Sequence, residues 1–116
     1  MAYERVLARN LPSHFPSWTF KYGAWIEKDG KFFQPDFILE NPSGFIILGD
    51  ARYSYALSKD RKLQEVYLPL LQELYPGRSF LTVQFNKICP LLAYLAPGDL
   101  LLKPPGHYVV VTDRGY

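Results

Sequence analysis

Apolar positions along this chain follow two rhythms. Between residues 20 and 51 they alternate or run together as in strands, and between 58 and 75 they recur at helical spacing. In residues 20–27, Tyr22, Ala24 and Ile26 form one alternating set and Lys21, Gly23, Trp25 and Glu27 the other, which predicts a strand. Lys28-Asp29-Gly30-Lys31 supplies an Asp-Gly hairpin turn, so residues 32–39 become the returning strand. Asn41-Pro42-Ser43-Gly44 reads as a second turn, because Pro presets φ and Gly tolerates φ > 0. Residues 45–51 are apolar at successive positions, as in a strand buried on both faces at the centre of a sheet.

The helical rhythm starts near Ser58, an N-cap candidate with Asp60 in the first turn. Leu63, Tyr67, Leu70, Leu71 and Leu74 make the core face, and Pro76-Gly77 ends the helix. Pro69 lies inside it, removes an amide donor and predicts a kink. Residues 79–85 form a strand that joins the sheet in parallel after the helical crossover. Residues 88–96 suggest a short helix, Leu100-Leu101-Leu102 a core or packing edge, and residues 107–112 a final strand rich in valine. At the start, residues 1–10 predict a helix with Tyr3, Val6 and Leu7 on one side, stopping before Pro12. Residues 11–18 then form an extended loop, in which His14 is a candidate phosphate or metal contact. The expected order is α-β-β-β-α-β-(α)-β, an α/β (α+β) domain with a mixed sheet flanked by helices, covering residues 1–116 as one unit.

Composition agrees with a folded globule: 48% of the 116 residues are hydrophobic and 16% aromatic. The 13 Lys and Arg against 11 Asp and Glu leave a net charge of +2, too small to identify a nucleic-acid binder by itself. One cysteine, Cys89, excludes an internal disulfide and suits a reducing cytosol. With no signal-peptide core and no spanning apolar run, the expectation is a cytoplasmic protein without membrane contact.

The candidate chemistry lies where the apolar strand pattern gives way. Gln34-Pro35-Asp36-Phe37-Ile38-Leu39 and Phe45-Ile46-Ile47-Leu48-Gly49-Asp50-Ala51-Arg52 each carry one aspartate. Neighbouring strands can bring Asp36 and Asp50 together, and two adjacent carboxylates on hydrophobic strands are costly unless a cation shares them. A hard divalent ion such as Mg²⁺ suits them. Alternatively, the aspartates cap turns or pair with basic side chains at strand ends. Lys59, Arg61, Lys62 and Gln64 cluster at the start of the following helix, either as a solvated face or as phosphate contacts.

Pro35-Asp36 on one strand and Asp50-Ala51-Arg52 on the next resemble the motif of the PD-(D/E)XK, or restriction endonuclease-like, nuclease superfamily, with Arg in place of Lys. The resemblance covers roughly residues 20–85, including the helix with Lys62-Leu63-Gln64-Glu65-Val66-Tyr67. It implies that Asp36, Asp50 and the main-chain carbonyl of Ala51 ligate Mg²⁺ or Mn²⁺, with Glu4 as a third acidic ligand from the N-terminal helix. It further implies hydrolysis of DNA phosphodiesters, with Arg52 stabilising developing charge. Guanidinium does not exchange protons near neutral pH, so Lys59 or Lys62 would have to supply an amine if one is needed. Three functions stay open: a metal-dependent DNA endonuclease, suited by its size to a phage or other mobile element; an inactive nuclease-like module binding nucleic acid or a partner protein; and an unrelated α+β protein. A homodimer is expected of so small a nuclease that cuts both strands. Trp18, Tyr22, Trp25, Tyr53 and Tyr55 are candidates for base stacking or a dimer face, or else are packing residues.

Overall fold

The computed structural model describes residues 2–87 and 97–111. A five-stranded mixed sheet forms the spine, in the order β1 (Thr19–Tyr22), β4 (Phe37–Glu40), β5 (Ile46–Arg52), β6 (Phe80–Asn86), β7 (Gly106–Val111). β1, β4 and β5 are antiparallel neighbours, while β6 and β7 join in parallel. The strand after the helical crossover therefore lies beside β5, which occupies the centre, as the uninterrupted apolar run predicts.

The first two expected strands are each broken in two. Gly23 interrupts the first at φ 69°, and the second is interrupted before Asp36 by Gln34 and Pro35. Their distal halves, β2 (Ile26–Lys28) and β3 (Lys31–Phe33), form a separate hairpin that turns at Asp29 and Gly30. Both turn residues have positive φ, 52° and 76°, as a two-residue hairpin loop requires. Ile26 and Phe33 bring this hairpin onto the core beneath the second helix.

Helix α1 (Ala2–His14) runs four residues beyond its expected end and straight through Pro12. Leu11 and Phe15 are fully buried on either side of that proline, and their packing outweighs the lost amide bond. Val6, expected on the core side, is exposed, whereas Tyr3, Leu7 and Leu11 make the buried stripe. His14 ends the helix as an exposed residue.

The crossover helix is in three parts: α2 (Leu57–Lys62), a wide π turn (Leu63–Tyr67) and α3 (Leu68–Leu74). The N-cap is Ala56, not Ser58. Pro69 stands in the first turn of α3, where a missing N–H costs little, and the π turn before it takes up the altered register. Leu63, Tyr67, Leu70 and Leu71 are buried as expected. Leu100 is buried within a 3₁₀ turn (Pro97–Leu102), while Leu101 and Leu102 are exposed. The expected helix at 88–96, with Cys89, lies outside the described residues, as does Thr112.

Side chains alternate across the sheet, so each face has its own core. Phe37, Leu39, Ile47, Ala51, Leu81, Val83 and Phe85 pack against α1. Ile46, Leu48 and Phe80 pack against the π turn and α3. Gly49 lets these layers close: a Cβ there would stand 2.5 Å from the Phe85 ring. No described helix is long and apolar enough to cross a membrane.

Candidate active site

Pairing between β4 and β5 ends at Phe37 and Gly49, and at that point side chains take over from the backbone ladder. The Asp36 amide donates to Asp50 Oδ1 at 2.9 Å, and the Ala51 amide donates to Asp36 Oδ2 at 2.8 Å. Each aspartate thus caps the other's strand. Asp50 is almost wholly buried and Asp36 half-buried. Strand capping and site assembly are one arrangement here.

Glu4 joins this pair from α1. It accepts a hydrogen bond from the Tyr22 hydroxyl at 2.8 Å and lies close enough to Asp36 for each carboxyl to shift the other's titration. Burial, then the neighbouring Glu4 and Asp50 carboxylates, push the Asp36 carboxyl up to about 7, against the opposing hydrogen bond from Ala51. Burial raises Asp50 as well, opposed by the Asp36 amide and by Lys59, Arg52 and Lys62. Burial would also raise Glu4, but the hydrogen bonds from Asp36 and Tyr22 outweigh it and hold Glu4 below its ordinary value. Three carboxyls thus stand together within reach of the three cations Arg52, Lys59 and Lys62.

Among the described residues no three His, Cys, Asp or Glu side chains stand as a preassembled metal cluster. The donor chemistry nevertheless fits a hard divalent cation. Asp36, Asp50 and Glu4 are all oxygen donors, and the burial and neighbouring carboxylates that lift Asp36 are costs such an ion offsets.

Lys59 and Lys62 lie close enough for their charge to act on Asp50, and Lys62 Nζ also sits 5.5 Å from the centre of the Tyr67 ring. Arg61 and Gln64 are exposed on the same helical stretch. Arg52 is half-buried, and its charge reaches both Asp50 and Glu4. Its Nε is buried without a hydrogen-bond partner among the described residues.

Several polar groups near the site carry little sequence signal. Tyr67, legible only as part of a core face, has its hydroxyl pushed up to about 12 by burial and by the Asp50 and Asp36 charges. On β6, Thr82, Gln84 and Asn86 are fully buried on the same face as Asp50. Their spacing of two within an apolar strand is the one signal that could have singled them out. Gln84 holds the entry to α2, accepting from the Ala56 amide and donating to its carbonyl, both at 2.9 Å. Asp60, expected only as a first-turn acid, meets His107 Nε2 at 2.5 Å, while His107 Nδ1 meets the Thr82 hydroxyl at 2.8 Å. Of the exposed-aromatic candidates, Trp18 packs between Phe15 and Phe45, and Tyr22 and Tyr55 hydrogen-bond to Glu4 and Asp60. Trp25 and Tyr53 remain largely exposed.

The fold is one that solved endonucleases share. Solved structures of endonucleases superpose on nearly the whole chain: EndoMS bound to double-stranded DNA (TM-score 0.56, 15% identity, 96% of this chain and 43% of that one); a repair endonuclease from Pyrococcus abyssi (TM-score 0.55, 14% identity, 96% and 45%); and EndoMS without ligand (TM-score 0.52, 15% identity, 97% and 45%). The chain spans less than half the length of each. No family model and no curated protein matches the sequence.

Proposed function

We propose that the protein is a metal-dependent DNA endonuclease that hydrolyses phosphodiester bonds. The observation that carries this reading is the reciprocal bridge of Asp36 and Asp50, with Glu4 attached, beside the positive charge of Arg52, Lys59 and Lys62. Likeness to an endonuclease solved on double-stranded DNA supports the choice of polymer.

Asp36, Asp50 and the Ala51 carbonyl would hold Mg²⁺ or Mn²⁺, with Glu4 as a further acidic ligand. Such an ion, when bound, polarises a scissile phosphate and lowers the pKa of water. The chain's own residues do the rest. Arg52 grips a non-bridging phosphate oxygen and offsets developing charge, remaining protonated throughout. Lys59 and Lys62 hold the neighbouring phosphates and, being amines, are the groups able to exchange a proton with the attacking water. Arg61 and Gln64, one layer further out, extend the backbone contact.

A second reading rests on Arg52. With Arg where the resembled motif has Lys, the domain binds DNA or a partner protein without cutting. Nicking of supercoiled plasmid with Mg²⁺, Mn²⁺ or EDTA, run beside Asp50→Asn, separates the two. Metal-dependent cleavage lost in the variant supports the nuclease; DNA binding without cleavage by folded protein supports the module. A homodimer would let two sites address two strands, and light scattering with and without DNA tests it. The proposed setting is cytoplasmic, in a phage or other mobile element.

A further inference from the structure

Asn86 stands out at the end of β6: its side chain is fully buried, and neither its amide nitrogen nor its carbonyl oxygen has a hydrogen-bond partner among the described residues. Buried amides are ordinarily satisfied, because an unpaired one forfeits its hydration without return. The parallel register sets Asn86 directly beside Arg52, two positions along from the Asp50–Gln84 pair and on the same face of the sheet. Among the described residues, Arg52 Nε is the other buried side-chain polar atom without a partner. One is a donor in need of an acceptor; the other offers an acceptor on the adjacent strand.

We infer that Asn86 is a positioning residue for Arg52, its carbonyl oxygen receiving the Arg52 Nε–H when a phosphate is bound. Guanidinium presents its donors in one rigid plane. Holding Nε from the β6 side turns the two terminal nitrogens outward together, so that both can meet one phosphate. Arg52 on its own strand end, half-buried and unanchored at Nε, can take several orientations; an acceptor fixed in the sheet selects one. Gln84, the other buried amide in this row, is already committed to Ala56 and cannot serve. The inference rests on the nuclease-fold reading of Arg52 as a phosphate contact.

The test uses Asn86→Leu, which fills the same space without polar atoms, with Asn86→Ala as a second variant should leucine prevent folding. Thermal unfolding and fluorescence anisotropy with a labelled DNA duplex in EDTA are measured for wild type, Arg52→Ala, the Asn86 variant and the double variant. The expected result is a weakening of DNA binding by about tenfold for the Asn86 variant, the scale of one hydrogen bond to a charged group. No loss of thermal stability accompanies it, and no further loss of binding occurs when the change is added to Arg52→Ala. Wild-type affinity in a folded Asn86 variant overturns the inference, as does a full additional loss in the Arg52→Ala background. A wild-type protein that binds no DNA removes the phosphate-contact reading itself, and the assignment with it.

Discussion

The Asp36 amide donates to Asp50 while the amide following Asp50 donates back to Asp36, so two acids fourteen residues apart end one strand pair and hold each other in place. Either aspartate is therefore both a structural and a chemical residue, and substitutions can separate the two roles.

Asp50→Asn keeps an oxygen for the Asp36 amide but loses the charge. It should fold with near wild-type stability and lose metal-dependent cleavage. Asp50→Ala leaves that amide without its acceptor and should lose about 1–3 kcal/mol of stability in addition. Denaturation curves alongside a nicking assay check the contrast; equal stability of the two variants would refute the structural half.

Asp36 titrates near 7, raised from 3.8 by burial, Glu4 and Asp50. Between those values the folded state binds a proton that the unfolded state has released, so stability should fall as pH rises from about 4 to about 7 and level off above. Asp36→Asn, which can still accept from Ala51, should flatten much of that slope. Urea midpoints at a series of pH values in EDTA provide the measurement. Addition of Mg²⁺ should favour the ionised carboxylate and move the midpoints up at neutral pH.

Gly49 separates Leu48 from Asp50 on the central strand, and any Cβ there meets the Phe85 ring. Gly49→Ala should destabilise by about 1–3 kcal/mol through overpacking. Because the strain falls one residue from Asp50, cleavage should drop further than the fraction folded. Pairing the substitution with Phe85→Leu, which makes room, should recover part of both.

Gln84 ties both backbone groups of Ala56 to β6 immediately before α2 begins. Gln84→Leu should leave those groups unpaired, loosen the start of α2 and cost about 1–3 kcal/mol. Lys59 lies in that first turn, so DNA affinity should fall as well. Faster amide exchange over residues 57–62 than over 68–74 would report the local opening.

Strands, hairpin and crossover helix were legible in the chain because each has a local cause. Asp29-Gly30 can take positive φ, residues 45–51 are apolar on both sides, and Leu63, Tyr67, Leu70 and Leu71 share one helical face. The placing of Asp36 and Asp50 at strand ends was legible for the same reason. What depended on packing was not. Pro12 stays helical because Leu11 and Phe15 are buried around it, and Pro69 is accommodated by a π turn that no local pattern announces. Glu4 was named only through the resemblance; its nearness to Asp36 comes from the docking of α1 on the sheet, with Tyr22 to hold it. Arg52 is set beside Asn86 in strand register, and Asp60 meets His107, across 34 and 47 residues, separations bridged by parallel pairing and helix docking. Local sequence determines which residues prefer strand, turn or helix; only the tertiary structure decides which polar groups are buried together, since desolvation and pairing act between segments that the chain itself keeps far apart.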